Sequence, residues 1–182
     1  MPTTARKIRT YTDYAELPEK APYQLIGGEF ALNPAPTPFH QRISLKLIIE
    51  LATFVEANEL GQVFDAPIDV YFSETEVYQP DIIFIGKERL DIIGEQKIEA
   101  APDMVVEILS PSTGYYDLRH KKQVYEKHGV KEYWLIDPPE QSLEIFENKN
   151  GVYQPGLALR EKGTVKTNLI PGLEFPLDKL FN

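Results

Sequence analysis

Three short runs of mostly apolar residues constrain the fold of this chain more than any other feature of its sequence. They read DIIFI at residues 81–85, DMVVEIL at 103–109 and EYWLI at 132–136. Runs of this length, bounded by proline or turn residues, are typical of strands that are covered on both faces. Such strands need layers of helix around them. The sequence therefore predicts an α/β or α+β fold with a central mixed sheet flanked by helices.

Helical periodicity supplies those layers in two places. The aliphatic residues that recur at every fourth position are Ile43, Leu47, Leu51 and Val55. This spacing predicts an amphipathic helix from His40 to about residues 58–61, with Gly61 as its C-terminal cap. A second helix is predicted from Asp117 to His128, because Asp117 can cap its start and apolar residues follow at helical spacing.

The length of 182 residues suits a single domain over residues 1–182. We expect an irregular arm at 1–22, with at most a short helix at 13–17, and a β-rich extension of meandering strands at 138–182. The sequence has no apolar run near the roughly 18 residues of a membrane span, and no apolar segment of a signal peptide at its start, so we expect a cytoplasmic location. It has no cysteine, which excludes thiolate metal sites.

The charge balance disfavours a generic nucleic-acid binder, because the chain carries 28 acidic side chains against 19 Lys and Arg. The charges are distributed unevenly. Residues 61–85 contain five acidic side chains and no cation, whereas residues 117–131 contain five cations and two acidic side chains. A solvated surface is the default explanation for most of them. In sequence, the chain nevertheless sets an acidic strand region against a basic helix.

Two carboxylates stand out from this acidic set by their context. Asp81 lies at the start of one apolar run, and Glu107 lies between Val106 and Ile108 in another. A carboxylate in such a strand has to be paired, exposed at the strand end or bound to a metal. Carboxylates on neighbouring strands suit one hard cation such as Mg²⁺. The alternatives are that Asp81 is a turn residue at a strand start and that Glu107 lies on a solvated face.

Longer segments around these residues resemble a known family. They are YQLIGGEFALNPAPTPFHQRIS, QPDIIFI and APDMVVEILSPSTGYYDLRHKKQVYEKHGVKEYWLIDP, which together cover about residues 23–138. In this order they resemble the Uma-two family of restriction-endonuclease-like proteins, assigned to the PD-(D/E)XK nuclease superfamily. The resemblance implies a restriction-endonuclease-like core with a divalent-metal phosphodiesterase site.

The resemblance also implies roles for particular residues. Asp81 matches the motif aspartate and Glu107 the acidic member, so both are implied ligands of Mg²⁺ or Mn²⁺. The usual lysine position, two residues after Glu107, holds Leu109, which has no charge. The pattern therefore resembles variants in which the lysine has migrated to the following helix, which implies Lys121. Lys122, about 100° further around that helix, is the weaker candidate.

Two more residues are accessory candidates. Glu29 lies in GGEF before the first long helix, where nuclease-fold relatives often place an extra acidic residue; an exposed strand residue is the alternative. His40 either opens the helix, contacts a substrate phosphate or forms a local hydrogen bond. The three histidines show no HxH or HExxH spacing, so a histidine-based zinc site is not expected.

The function expected from these features is metal-dependent hydrolysis of DNA phosphodiester bonds, with Asp81, Glu107 and Lys121 as catalytic residues. Two alternatives stay open. One is a catalytically silent nuclease-fold module that acts by binding a protein partner, and the other is a hydrolase of another phosphate ester, such as RNA or a nucleotide. A homodimer is also expected, because two-strand cleavage benefits from two sites and twofold dimers are the commonest oligomers.

Overall fold

A computed structural model describes residues 7–19, 21–110 and 115–182, without the side chains of 115–117. In chain order the elements are α1 (Tyr11–Ala15), β1 (Tyr23–Ile26), β2 (Glu29–Leu32), α2 (Pro38–Ala57), β3 (Gly61–Asp65), β4 (Val70–Ser73), β5 (Glu76–Tyr78), β6 (Ile82–Gly86), a 3₁₀ helix (Lys87–Ile92), β7 (Met104–Ile108), α3 (Tyr115–Lys127), β8 (Glu132–Asp137), β9 (Ser142–Lys149), β10 (Val152–Arg160), β11 (Thr164–Lys166), β12 (Glu174–Pro176) and a 3₁₀ helix (Leu177–Leu180).

A six-stranded mixed sheet forms the centre, in the order β10-β9-β8-β7-β6-β3. β7 and β8 run parallel, and the other neighbours in this sheet run antiparallel. The three apolar runs of the sequence are the middle strands β6, β7 and β8, and every residue of β7 is buried. The predicted central mixed sheet with flanking helices is thus confirmed.

Helices cover both faces of this sheet because successive side chains of a strand point to opposite sides. Val106 and Trp134 face one side, where α2 buries the aliphatic residues predicted from its periodicity: Ile43, Leu47, Leu51 and Val55. Val105 and Tyr133 face the other side, where they pack with Tyr125 of α3. The two helices therefore bury the middle strands between them.

A second, four-stranded sheet has the order β2-β1-β5-β4. Its β1–β2 hairpin turns at Gly27 and Gly28, whose φ angles of 57° and 75° favour glycine. Leu25 of β1 and Val77 of β5 pair and lie at the centre of a small core with Tyr14 of α1. This sheet stands beside the end of the central sheet at which β6 begins, since β5 leads directly into β6.

The boundaries of all three α-helices differ from the sequence expectations. α1 begins at Tyr11, because the side chain of Asp13 accepts a hydrogen bond from the Thr10 N–H at 3.0 Å and fixes the first turn there. α2 ends at Ala57, and Gly61 starts β3, so the predicted cap at Gly61 is wrong. α3 includes Tyr115, which places Asp117 inside the helix, so its predicted role as the capping residue is also wrong.

The C-terminal residues 138–182 are β-rich, as expected, but their two longest strands belong to the central sheet and do not form a separate meander. β9 and β10 extend the central sheet, and Leu143 and Ile145 of β9 are buried in its core. Only β11 and β12 form a separate two-stranded pair. Among the described residues, none of the helices combines the length and apolar character needed to cross a membrane.

Candidate active site

The two candidate carboxylates meet at one end of the central sheet. Ile82 of β6 pairs with Val106 of β7 in antiparallel register, so Asp81 is the next position toward Glu107. The Ile108 N–H donates a hydrogen bond of 2.7 Å to Oδ2 of Asp81, which fixes this aspartate beside the end of β7. Both carboxylates line a cleft of about 370 Å³.

Glu107 is paired with two groups from α3. Lys121 Nζ lies 3.2 Å from Oε1 of Glu107, and the Tyr125 hydroxyl donates to the same oxygen at 2.5 Å. Both donors use Oε1, so neither occupies Oε2. Lys121 is only 4% exposed and Glu107 6%, which shows that α3 turns its 121–125 face toward the sheet. Asp117, four residues before Lys121, is expected on the same face by its spacing, but its side chain lies outside the described residues.

Burial controls the protonation of this cluster. Burial raises the pKa of Glu107 above its ordinary value, and the positive charge of Lys121 offsets only part of the rise. Burial and the nearby charge of Glu107 raise the pKa of Tyr125 well above its ordinary value, so its hydroxyl remains a donor. The walls are aromatic: Lys121 Nζ lies 5.5 Å from the centre of the Tyr78 ring, which in turn packs against Tyr125.

His40 is the partner of the second carboxylate. The first turn of α2 is fixed by the hydroxyl of Thr37, which accepts from the His40 N–H at 3.2 Å. This places His40 Nε2 3.3 Å from Oδ1 of Asp81. Burial lowers the pKa of His40, but the hydrogen bond and charge of Asp81 outweigh burial and leave the pKa raised. Its buried Nδ1 has no hydrogen-bond partner within the described part of the chain.

Four amide side chains also line the cleft, and no pattern in the sequence marked them because they belong to no charged motif. They are Gln24, Asn33, Gln41 and Gln79. Asn33 Nδ2 donates to Gln79 Oε1 at 3.0 Å, and Gln79 Nε2 donates to Asp69 at 2.8 Å. This network ties β2 to the segment between β5 and β6. Asn33 and Gln79 are therefore held in place at the cleft.

Residues 10–178 match the model of a protein family, Uma2, described as "Putative restriction endonuclease". The chain belongs to the Uma2 family. A solved structure with the same fold is that of "a putative nuclease belonging to DUF820 from Anabaena variabilis ATCC 29413". It superposes with a TM-score of 0.78 at 23% sequence identity, and the match covers 94% of this chain and 97% of that chain. Among curated proteins no match was found.

The Uma2 assignment implies a divalent metal, and the donor set fits one. Asp81 and Glu107 supply carboxylate oxygens, the ligands that Mg²⁺ and Mn²⁺ prefer. Among the described residues, neither this site nor any other part of the fold contains a group of three or more His, Asp or Glu side chains that could hold an ion. A cation held by Asp81 and Glu107 would therefore complete its shell with water and substrate oxygens, as Mg²⁺ commonly does.

The remaining candidates lie away from this Uma2-family site. Glu29 pairs with Ile26 beside the Gly27–Gly28 turn, whereas the cleft is lined by Leu32 and Asn33 at the opposite end of that hairpin. Lys122 Nζ lies 3.1 Å from the centre of the Phe146 ring, and burial lowers the pKa of Lys122. Of the two neighbouring lysines, the structure thus brings Lys121 to the carboxylates and directs Lys122 to β9.

Proposed function

We propose that this Uma2-family chain is a metal-dependent endonuclease that hydrolyses DNA phosphodiester bonds in the 370 Å³ cleft. The observation that supports the proposal best is the meeting of Asp81, Glu107 and Lys121 at one cleft. These residues come from three separate segments of the chain. Two carboxylates and an ammonium group at one end of a sheet form a constellation suited to phosphoryl chemistry.

Asp81 and Glu107 are the proposed ligands of Mg²⁺ or Mn²⁺. A divalent cation bound there polarises the phosphoryl group and lowers the pKa of an attacking water. The two carboxylates are held differently. The Ile108 N–H and His40 orient Asp81, and the side chains of Lys121 and Tyr125 orient Glu107. Such partners fix the direction in which a ligand oxygen points and therefore affect the affinity for metal.

Lys121 is the proposed electrostatic catalyst. Its ammonium group lines the cleft and lies in a setting with little water, where a positive charge stabilises developing negative charge more than it does in solution. Its bond to Glu107 holds it at that place. We propose that Lys121 contacts a non-bridging phosphate oxygen while it remains beside Glu107.

Tyr125 is proposed as a positioning residue. It contacts Glu107 and is fully buried, and it does not line the cleft, so it acts on the substrate only through that carboxylate. Its donation to Oε1 complements the donation by Lys121 and would leave the other oxygen, Oε2, available for a cation. His40 holds Asp81 in a similar way, but its side chain also lines the cleft.

The test is cleavage of supercoiled plasmid with Mg²⁺ or Mn²⁺ by the wild type and by Asp81→Asn, Glu107→Gln and Lys121→Met. Two matched controls are available. Lys122→Met removes the neighbouring ammonium group, and Asp65→Asn removes another carboxylate that lines the same cleft. We expect the three site variants to lose cleavage and both controls to retain it. Cleavage that survives all three substitutions would reject the site.

Calorimetric titration with Mn²⁺ separates the remaining alternatives. Metal binding that depends on Asp81 and Glu107, without cleavage of DNA, points to the hydrolase of another phosphate ester. Failure to bind metal and failure to cleave together favour the catalytically silent module. The net charge of −9 makes that outcome physically reasonable, because DNA approaches an acidic chain only where a cation or a basic partner neutralises phosphate.

A further inference from the structure

The outer face of α2 carries large apolar side chains that the fold leaves in solvent. Leu45 is 59% exposed and Ile49 is 53% exposed, whereas the inner face of the same helix is fully buried. Phe39 adds a further exposed ring, 38% accessible, near the start of the helix. A helix that is apolar on both faces is expected to have a partner on each of them.

The spacing of the exposed face is that of a helix–helix seam. Arg42, Leu45, Ile49, Ala52 and Glu56 follow one another at intervals of three, four, three and four residues. This alternation keeps one stripe of a helix against a second helix, as at the a and d positions of a coiled coil. The middle of the stripe is apolar, and each end carries one charge.

The two charges select how a second copy of the helix can pack. In a parallel arrangement Arg42 would lie against Arg42, and Glu56 against Glu56, which is repulsive at both ends. In an antiparallel arrangement centred near Ile49, residue numbers that add to 98 face each other, so Arg42 lies opposite Glu56 of the second copy. The twofold axis then creates two opposite-charge pairs and buries Leu45 and Ile49 between them.

The charges beside the seam already have partners within the chain. Lys46 donates to the backbone carbonyl oxygen of Asn182, and Glu50 pairs with Lys179. These contacts hold the C-terminal 3₁₀ helix against one flank of α2. Arg42, in contrast, lies over the ring of Phe39, 5.1 Å from its centre, at the exposed side. The charge pattern of the stripe is therefore set by Arg42 and Glu56.

We propose that the outer face of α2 is a homodimer interface in which two copies of the helix pack antiparallel about a twofold axis near Ile49. An interface of this kind uses the same patch on both protomers and closes after two copies. The proposal stands independently of the chemistry in the cleft, because none of the stripe residues lines the cleft.

Sedimentation velocity of the full chain tests the interface. We expect a dimer for the wild type and a monomer for Leu45→Glu and for Ile49→Glu, with unchanged circular dichroism. Val152→Glu is the matched control, since Val152 on β10 is 56% exposed and lies outside the stripe. A wild type that is monomeric throughout the micromolar range, or a dimer that survives Ile49→Glu, overturns the proposal.

A charge exchange tests the antiparallel arrangement itself. Arg42→Glu and Glu56→Arg, each alone, place like charges opposite each other and are expected to weaken the dimer by roughly tenfold. The double variant restores opposite charges and is expected to recover the wild-type dissociation constant. If the wild type is dimeric and the double variant is no tighter than the single ones, the antiparallel packing is wrong.

Discussion

Two buried carboxylates, Asp103 just before strand β7 and Glu107 near its end, have pKa values shifted in opposite directions. Asp103, just before the strand, accepts from the Gly86 N–H at 2.8 Å and from Arg89 at 3.1 Å, and it pairs with Lys131 at 2.8 Å. Burial raises the pKa of Asp103, but these three partners outweigh it, and the pKa ends below its ordinary value. Glu107, four residues later, has a raised pKa although Lys121 and Tyr125 contact it.

The difference separates a structural carboxylate from a chemically available one. Asp103 is satisfied by cations that reach solvent and by a backbone N–H, so its charge is stabilised within the fold. Both donors to Glu107 bind the same oxygen, and its charged form is less stable in the fold than in water. A second positive charge near Glu107, such as a divalent cation, would therefore stabilise its charged form, whereas the charged form of Asp103 is already stabilised by its own partners.

The largest expected effect comes from neutralising each acid. Glu107→Gln should lower metal-dependent plasmid cleavage by about 10³-fold, because it removes a proposed metal ligand. Asp103→Asn should retain cleavage at temperatures at which it stays folded. Initial rates measured with Mg²⁺ for both variants decide the comparison, and equal losses would show that the two acids do not differ in role.

Removing the lysine partner of each acid should also affect cleavage differently. Lys121→Met should lower cleavage by about 10²-fold through loss of the ammonium group in the cleft. Lys131→Met leaves Asp103 with Arg89 and the Gly86 N–H, so cleavage should be unchanged. Single-turnover rates give the ratio, and a Lys121→Met enzyme as fast as Lys131→Met would contradict the role of Lys121.

For the free energy of unfolding, Asp103→Asn should have a larger effect than Glu107→Gln, the reverse of their order in cleavage. Asp103→Asn weakens bonds to Arg89, Lys131 and Gly86, and should lower the free energy of unfolding by about 2 kcal/mol. Glu107→Gln should cost less, because the raised pKa shows that the fold stabilises the anion poorly. Urea denaturation in the presence of EDTA measures both values. A greater loss for Glu107→Gln than for Asp103→Asn would reverse the interpretation.

Removal of the tyrosine hydroxyl should have a smaller effect on the site. Tyr125→Phe keeps the aromatic packing with Tyr78 and Tyr133 but leaves Glu107 with Lys121 as its remaining donor from α3. We expect Mn²⁺ affinity to fall by roughly tenfold. Tyr133→Phe is the control, since it deletes a neighbouring hydroxyl. Unchanged affinity in Tyr125→Phe would show that the hydroxyl does not position Glu107.

The two acids should also give opposite slopes of stability against pH. A raised folded-state pKa means that the contribution of Glu107 is fully present below its ordinary pKa of 4.5 and is lost as pH rises through the folded pKa. A lowered pKa means that the contribution of Asp103 is present above its ordinary pKa of 3.8 and is lost as pH falls through the folded pKa. Glu107→Gln should therefore flatten the profile above pH 4.5, and Asp103→Asn the profile below pH 3.8. Thermal melts across this range in EDTA measure the slopes, and a Glu107→Gln profile that stays as steep as that of the wild type would refute the assignment.

The sequence predicted those parts of the molecule that depend on local pattern. The apolar runs identified β6, β7 and β8, and the four-residue spacing identified the buried face of α2. Lys121 and Tyr125 are four residues apart, a spacing that places both on one face of a helix, and the structure turns that face toward Glu107. These predictions succeeded because burial on a strand or helix leaves a periodic trace in the sequence.

Other features depend on tertiary contacts that leave no such trace. The pairing of His40 with Asp81 joins α2 to the start of β6, 41 positions apart in the numbering. Glu29 was a candidate because it precedes the helix, but the hairpin carries it away from the cleft. The caps expected at Gly61 and Asp117 were wrong, because α2 already ends at Ala57 and α3 already includes Tyr115. A residue type that is common at caps does not by itself fix where a helix ends.

The location of Lys121 on α3, while both carboxylates lie at the central sheet, has a consequence for partial unfolding. The sheet order holds Asp81 beside Glu107 through β6 and β7, whereas Lys121 joins them only through the packing of one helix. Local opening of α3 would leave the acidic pair on the sheet and remove both Lys121 and Tyr125, since elements of a fold open with different free energies. On heating, catalysis would then be lost while metal binding is weakened but still present.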